Sequence, residues 1–174
     1  MSSKKPFWPR VSPHFLACRR GVRAASLNRT VAVGLSGGAD SLALLAALVA
    51  EGHDVLALCV DHRLQEGSRA QAERAAEQAR ELGARARVLS VEAGATGPES
   101  MEAAARVARY RALAAASAAE ELEVAVAHTA DDQAETLLLG ALRGRVTGMN
   151  ERSEEEGARV ARPLLGERLT LIHI

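Results

Sequence analysis

Aromatic residues and cysteines are both scarce in this chain of 174 residues. Aromatics make up 2% of the sequence against 48% for all hydrophobic residues, so a buried core has to be built mainly from Ala, Val and Leu. The two cysteines, Cys18 and Cys59, form no C-x-x-C pair. We therefore expect neither a disulfide framework nor a cysteine metal site, and Cys59, within an apolar strand pattern, is predicted to be core.

Long apolar runs and a secretion signal are also missing. No stretch approaches the ~20 apolar residues that a membrane-spanning helix needs. The first residues contain no apolar segment of the kind that directs secretion. We therefore expect no membrane partner and predict a cytoplasmic protein.

Acidic residues are absent from the first 30 positions, although the whole chain balances 22 basic against 22 acidic residues. We predict that residues 1–28 form a basic N-terminal arm, with a short helix over 15–26, and that residues 29–174 form the domain. Such an arm could contact a phosphate backbone or be a solvated tail, and the sequence leaves both open. The basic residues concerned are Lys4, Lys5, Arg10, Arg19, Arg20, Arg23 and Arg29.

Strand and helix patterns alternate along the rest of the chain. Apolar runs predict buried strands at 31–35, 54–60, 86–91, 124–127 and 159–165. Helices are predicted at 42–50, at 68–82 with Ser68 as N-cap, at 99–119 and at 131–142, and the acidic stretch 151–156 is predicted to be a solvated loop. This order indicates an α/β fold of the Rossmann type, a parallel sheet with helices on both faces.

A glycine loop, residues 36–41, joins the first strand to its helix and predicts an anion site. Gly37 and Gly38 let the backbone curl around a phosphate, and the helix N-terminus presents unpaired N–H groups. Asp40 can hold a cation such as Mg²⁺ that bridges phosphate oxygens. The loop has no lysine and is not a P-loop, and an ordinary strand-to-helix turn is the alternative. The predicted phosphate-binding stretch is Leu35, Ser36, Gly37, Gly38, Ala39, Asp40 and Ser41.

Two more polar turns follow predicted strands. Asp61 and His62 come after the second strand, and the turn from His128 to Asp132 comes after the fourth. Ligands of parallel α/β folds bind at the carboxyl ends of the strands, so these turns and the glycine loop are predicted to converge.

Four stretches resemble one family. S-G-G-x-D-S at 36–41 resembles the PP-loop of ATP pyrophosphatases, whose fold is adenine nucleotide alpha hydrolase-like. V-D-H-x-L at 60–64, E-A-x-A-R-x-x-R-Y at 102–110 and H-x-x-D-D-Q-x-E-T at 128–136 resemble the tRNA(Ile)-lysidine synthetases, in family order. The chain thus resembles the N-terminal domain of that family, C-terminally incomplete.

The resemblance implies a two-step reaction and its partners. ATP, with Mg²⁺, would adenylate the C2 oxygen of the wobble cytidine, position 34, in tRNA(Ile) with a CAU anticodon. The ε-amine of L-lysine would then displace AMP. The resemblance leaves the oligomeric state open, with a homodimer as one alternative.

Site residues follow from the same resemblance. Asp61 and His62 would help to bind ATP, with a plain polar turn as their alternative. Arg109, Asp131, Asp132 and Glu135 would bind substrate. A solvated helix face with a Glu102–Arg106 pair, and helix capping by the carboxylates, are the structural alternatives. The residues expected to carry the chemistry are Asp40, Arg106, His128, Asp132 and Glu135.

The match has departures, and two other functions stay open. Thr129 stands where the family usually has a second histidine, Gln65 where it often has arginine, and the stretch 144–149 is less glycine-rich. A tRNA thiolase with a PP-loop is one alternative, although such enzymes rely on paired cysteines. A domain that binds ATP without completing a modification is the other.

Overall fold

The computed structural model describes residues 12–61, 63, 67–91 and 98–168, with side chains from residue 103 in the last range. It has five helices and six strands in these ranges. The helices are α1 (Pro13–Ala24), α2 (Ala39–Ala50), α3 (Ser68–Glu81), α4 (Pro98–Ala118) and α5 (Ala130–Leu142). The strands are β1 (Thr30–Leu35), β2 (Asp54–Asp61), β3 (Arg85–Ser90), β4 (Val124–Ala125), β5 (Arg152–Glu155) and β6 (Ala158–Ala161).

One six-stranded sheet organises the chain, in the order β3-β2-β1-β4-β6-β5. All neighbouring pairs are parallel except β5 and β6, which form an antiparallel hairpin at one edge. The parallel α/β fold predicted from the alternating pattern is therefore confirmed. The reason is local: continuous apolar strands need cover on both faces, and helices between parallel strands provide it.

Two apolar clusters cover the two faces of the sheet. Alternate residues of β1 and β2 point to opposite faces, as the two-residue period of a strand requires. Val31 and Val55 belong to the cluster that includes α1, α2 and α3, whereas Ala32 and Leu56 belong to the cluster that includes α4. Helices thus lie on both faces, as expected.

Helix α1 lies within the predicted basic arm and packs against α2. Cys18 and Val22 are buried in the core. Arg19 and Arg23 pair with Glu51 at the end of α2. This part of the segment is a packed helix whose arginines are neutralised within the chain, while the division of the chain at residue 28 stays a prediction.

The acidic stretch predicted as a solvated loop is instead strand β5, and this part of the sequence prediction is wrong. Residues 152–155 alternate between exposed and half-buried positions along the outer edge of the sheet. Ser153 and Glu155 face inward and bond to Arg162, which explains how so polar a segment forms a strand. The predicted fifth strand is β6, which ends at Ala161 rather than at residue 165.

Two helix starts also differ from prediction. Helix α2 begins at Ala39, directly after the glycines, rather than at residue 42. The N-cap of α3 is Gly67, with a φ of 92°, and not Ser68. The Ser68 hydroxyl donates to the Asp61 carboxylate at 2.6 Å instead of capping its own helix.

Candidate functional site

The sheet order places a crevice between β1 and β4. From β1 the chain proceeds outward through β2 and β3, then returns to the other side of β1 for β4. The helices that follow β1 and β4 are α2 and α5. They diverge at the carboxyl ends of these strands, so a ligand can enter between the two helices. The glycine loop follows β1, and the turn of His128 follows β4.

The glycine loop presents backbone N–H groups to this crevice. Gly37 has a φ of 80°, a left-handed conformation that a side chain disfavours. Gly38 caps α2 without a side-chain hydrogen bond, so the first-turn amides of the helix have no capping side chain. An anion at this end of α2 would meet these donors and the positive end of the helix dipole.

The two serine hydroxyls of the loop bond within the loop. Ser41 donates to the Gly38 carbonyl at 2.8 Å, and the hydroxyls of Ser36 and Ser41 lie 3.1 Å apart. Because Ser41 has given its only proton to Gly38, Ser36 donates in the second contact. Ser36 also accepts a hydrogen bond from the Gly38 amide at 3.3 Å, so both hydroxyls stabilise the loop. The amides of residues 39–41, in the first turn of α2, are left to bind an anion.

A cavity of about 360 Å³ opens beside the loop. Its volume lies in the range of small-molecule pockets, about 300–1,000 Å³. It brings together the loop, the ends of β2 and β4, and residues from α3, α4 and α5. The lining residues are Gly34, Leu35, Ser36, Gly38, Ala39, Asp40, Ser41, Leu58, Val60, Ser68, Gln71, Ala72, Arg109, Leu113, Val126, Ala127, His128 and Asp132.

Asp40 and Asp132 place two carboxylates on the cavity wall. Burial raises the pKa of Asp40, and the negative charges of Asp132 and Asp131 raise it further. Asp132 also closes a capping box, because its Oδ2 accepts hydrogen bonds from the amide of Thr129 at 2.7 Å and from its hydroxyl at 2.9 Å. The capping alternative is therefore realised for Asp132, which still lines the cavity.

Arg109 is the cation of the cavity wall. Its Nε is buried and has no hydrogen-bond partner among the described residues. Its guanidinium carbon lies 5.0 Å from the centre of the Tyr110 ring, and that ring is fully buried as packing. Arg106 also contacts this ring, with its guanidinium carbon 4.9 Å from the ring centre, but it does not line the cavity and pairs with Glu155 at 3.3 Å. The structure thus leaves Arg109 as the guanidinium available to an anion.

His128 lines the cavity as a neutral ring. Burial lowers its pKa to about 4, and the positive charge of Arg162 adds to this effect. Arg162 donates through Nε to Nδ1 of His128 at 3.1 Å. A guanidinium has only donors, so Nδ1 is unprotonated and the proton of the neutral ring resides on Nε2.

Asp61 holds the turn after β2 and does not line the cavity. Its Oδ1 accepts from the Ser68 hydroxyl and from the Arg63 amide at 3.0 Å. The Ser68 and Arg63 hydrogen bonds lower its pKa and keep it ionised although the residue is buried. His62, the second predicted residue of this turn, lies outside the described residues, as does the side chain of Glu102.

Asp131 and Glu135 are exposed on α5 and do not line the cavity. The structure therefore brings together the loop, Arg109, His128 and Asp132. Glu135, Asp131 and Arg106 are exposed and lie outside the cavity wall.

Arg162 and Glu155 are the site residues that sequence reasoning missed. Arg162 is 3% exposed and bonds to His128, Asn150, Ser153 and Glu155. The sequence offered one signal, an arginine within the predicted apolar strand 159–165. Such a position is buried, so its charge needs a partner.

Other kinds of site are not found in the described part of the chain. No group of three His, Cys, Asp or Glu side chains there could hold a metal ion by itself. Cys18 and Cys59 are both buried, and burial raises the pKa of each thiol to about 11. No helix among the described residues has the length and apolar character needed to cross a membrane.

Curated relatives match most of the chain. The tRNA(Ile)-lysidine synthase of Corynebacterium glutamicum is 52% identical over 165 residues, which cover 95% of this chain and 50% of the relative. That of Corynebacterium diphtheriae is 56% identical over 162 residues, covering 93% and 51%. The chain spans about half the length of the curated relatives it matches.

Solved structures agree on the fold. The U34-tRNA thiolase NcsA from Methanococcus maripaludis has a TM-score of 0.66 at 20% identity, covering 89% of this chain and 60% of that chain. NMN synthetase from Francisella tularensis has a TM-score of 0.57 at 16% identity, covering 88% and 62%. These likenesses concern the fold alone.

The sequence comparison also identifies the family. Residues 17–172 match the PP-loop domain, a range that includes the glycine loop, the cavity and the β5–β6 hairpin. Together with the loop geometry at the end of β1, this match means that the chain belongs to the PP-loop domain family.

Proposed function

We propose that this chain is the ATP-using part of a tRNA(Ile)-lysidine synthase. In the proposed reaction, the C2 carbonyl oxygen of cytidine 34 in tRNA(Ile), with its CAU anticodon, attacks the α-phosphorus of ATP. The bond from that phosphorus to the bridging oxygen breaks and pyrophosphate leaves. The ε-amine of L-lysine then bonds to C2, AMP leaves with the C2 oxygen, and the lysine nitrogen loses its proton. The compartment we propose is the cytoplasm.

One observation carries this proposal. Three stretches that resemble the lysidine synthetases, distant in the sequence, supply the wall of one cavity: the glycine loop, Arg109 of α4, and the His128–Asp132 turn. The names of the curated relatives support the same reaction. Since the chain covers about half of those relatives, the assignment of the whole activity to it is our proposal.

The phosphate groups would bind at the N-terminus of α2. The amides of Ala39, Asp40 and Ser41 supply donors, while Ser36 and Ser41 keep the loop in the shape that presents them. Arg109 would neutralise charge on the pyrophosphate or on the α-phosphate, because its Nε has no hydrogen-bond partner among the residues that the structure describes. These contacts would strengthen as charge develops on the leaving pyrophosphate.

A divalent cation fits beside Asp40. Mg²⁺ is usually held by one or two carboxylates together with substrate phosphates rather than by a cage of protein ligands. Burial raises the pKa of Asp40, the negative charges of Asp132 and Asp131 raise it further, and a cation here would relieve that repulsion. Bound Mg²⁺ would neutralise phosphate charge, and Asp40 is the residue we expect to hold it.

The second substrate would approach over α5. Glu135 and Asp131 are exposed there and can attract the lysine ammonium, while Asp132 lies at the cavity wall between them and the nucleotide. His128, neutral and with its proton on Nε2, can donate a hydrogen bond at the reaction centre. Arg106, which contacts the Tyr110 ring outside the cavity, would interact with the tRNA.

The thiolase alternative has less support than lysine transfer. Sulfur transfer needs a thiolate or a cluster held by thiolates. Both cysteines are buried, with pKa values raised to about 11, so neither supplies one.

Lysine transfer is tested by ATP-dependent incorporation of labelled lysine into a tRNA(Ile) transcript with a CAU anticodon. Incorporation that is lost in Asp40→Ala and with a GAU anticodon would support the proposal. Binding of ATP without incorporation would instead indicate a nucleotide-binding domain that does not complete the modification alone.

A further inference from the structure

Arg162 is the most completely bonded buried charge described in this protein. Its side chain is 1% exposed. It donates to the Asn150 carbonyl at 2.9 Å, the Ser153 hydroxyl at 2.8 Å and Glu155 Oε1 at 2.8 Å, besides Nδ1 of His128. Such a guanidinium has a fixed orientation, since rotation would break several charge-assisted hydrogen bonds at once.

Glu155 balances the charge of Arg162 and links it to a second arginine. Its Oε1 contacts Arg162 and its Oε2 contacts Arg106 at 3.3 Å. Burial opposes ionisation of Glu155, but the Ser153 hydrogen bond and the charges of both arginines outweigh it and lower its pKa. The β5–β6 hairpin thus delivers an ionised carboxylate that anchors Arg162 behind His128.

The contact with Arg162 decides which nitrogen of His128 carries the proton. Nδ1 must offer a lone pair to the guanidinium, so the ring is held in the Nε2–H form. The charged groups that act on this ring are Arg162 from the end of β6, Asp132 from α5, and Arg109 and Arg106 from α4. Three of these four groups are positive and disfavour a second proton on the ring.

We propose that Arg162 is a positioning residue, which locks His128 as a neutral Nε2–H donor facing the cavity. This inference rests on the proposed function. His128 then donates a hydrogen bond to oxygen that becomes more negative as pyrophosphate leaves, and it does not accept a proton in either step. The ring cannot be the base for the lysine amine, because Nδ1 is occupied and Nε2 already carries hydrogen.

Nitrogen-15 NMR of the full chain with labelled histidine tests directly whether His128 is held in the Nε2–H form. The sequence has five histidines, and the signals that disappear in His128→Asn identify His128. The expected wild-type result is a single neutral form with hydrogen on Nε2, constant between pH 8 and pH 5. A ring with hydrogen on Nδ1, or one that exchanges between both forms, overturns the proposal without any variant of Arg162.

Variants then test whether Arg162 is the cause. Arg162→Gln should give exchange between both neutral forms, and Arg162→Lys should restore part of the Nε2–H population. The matched control is Arg159→Gln, an exposed arginine on the same hairpin that donates to the Glu121 carbonyl. An unchanged His128 spectrum in Arg162→Gln, or an equal change in the control, contradicts the proposal. If Arg162→Gln does not fold, Arg162→Lys and the wild-type spectrum still decide it.

The donor role is separated from the proposed function by a second readout. Addition of Mg²⁺ and ATP to wild type should shift the Nε2 signal of His128 and leave its Nδ1 signal in place. In an active chain, Arg162→Lys should lower kcat at least tenfold and change the KM for ATP less than threefold. If the wild-type chain shows the Nε2–H form of His128 but no lysine transfer, the proposed function is overturned and the role of Arg162 in fixing the ring is not. If Arg162→Lys changes the KM for ATP and leaves kcat unchanged, the donor role of His128 is overturned.

Discussion

The carboxylates of Asp40 and Asp132 face one cavity from two helices, α2 and α5. Asp132 is fixed there by its capping box with Thr129. Its negative charge adds to the effect of burial in raising the pKa of Asp40. Two carboxylates so placed repel each other until a cation, a proton or a positively charged group of a substrate lies between them.

Replacement of Asp40 should therefore have opposite effects on the affinity for ATP in the presence and in the absence of Mg²⁺. Asp40→Asn is expected to weaken binding of ATP at least tenfold in the presence of Mg²⁺. Without Mg²⁺, ATP should bind as well as to wild type or better, because one negative charge is gone. Titration calorimetry with and without Mg²⁺ checks this, with Asp54→Asn at the exposed start of β2 as the control. Equal loss under both conditions would argue against a metal at Asp40.

Arg109 is expected to contribute to anion binding. A charge-assisted hydrogen bond contributes about 1.5–3 kcal/mol, so Arg109→Gln should weaken ATP binding roughly 10- to 100-fold. Arg111→Gln is the matched control, since Arg111 lies on the same helix, is 71% exposed and pairs with Glu156. Similar ATP affinities for both variants would remove Arg109 from the site.

Glu135 is expected to act on lysine and not on ATP. In the lysine-incorporation assay, Glu135→Gln should raise the KM for lysine at least tenfold and leave the KM for ATP within twofold. The reason is position: the carboxylate is exposed on α5, outside the cavity that we assign to the nucleotide. Glu73→Gln, an exposed residue of α3, serves as the control. An unchanged KM for lysine would refute the role.

His128 should make the folded state sensitive to acid. Burial lowers its pKa to about 4 in the folded protein, against the ordinary histidine value of 6.5 that we take for the unfolded chain. Between these values the unfolded chain binds more protons, so the free energy of unfolding falls as the pH drops from 6.5 to 4, by no more than about 3 kcal/mol. Above 6.5 the residue contributes no pH dependence.

Urea unfolding at several pH values measures this contribution. The difference in unfolding free energy between wild type and His128→Asn should shrink as the pH falls from 6.5 to 4, because the variant has no ring to protonate. A difference that stays constant over this range would mean that the ring is not held neutral.

The parallel sheet and the glycine loop could be predicted from the sequence because their signals are local. Continuous apolar strands such as 54–60 end in polar turns, and the period of the pattern then switches to that of a helix. The glycines before Asp40 mark a turn that can adopt a left-handed backbone, and Gly37 has that conformation. The convergence of loop and His128 turn followed from these positions and from the rule for parallel sheets.

The hairpin behind His128 could not be predicted because its stability comes from tertiary contacts. Arg-Ser-Glu-Glu at 152–155 has little intrinsic preference for a strand. It is held as one by tertiary contacts: Arg162 donates to Ser153 and Glu155, and Arg152 pairs with Glu123. The same holds for Ser68, whose preference for an N-cap position loses to a 2.6 Å hydrogen bond with buried Asp61. Side chains that satisfy distant buried groups give no periodic signal.

The central place of β1 has a consequence for the order of folding. This strand pairs with β2 on one side, but its other partner, β4, is more than eighty positions further along, and β4 pairs in turn with β6. A ribosome therefore releases the glycine loop long before the opposite wall of the cavity exists. Such non-local pairing makes parallel sheets slow to form. Nucleotide binding should then be the last property a refolding chain regains, which makes ATP a reporter of the completed sheet rather than of its early half.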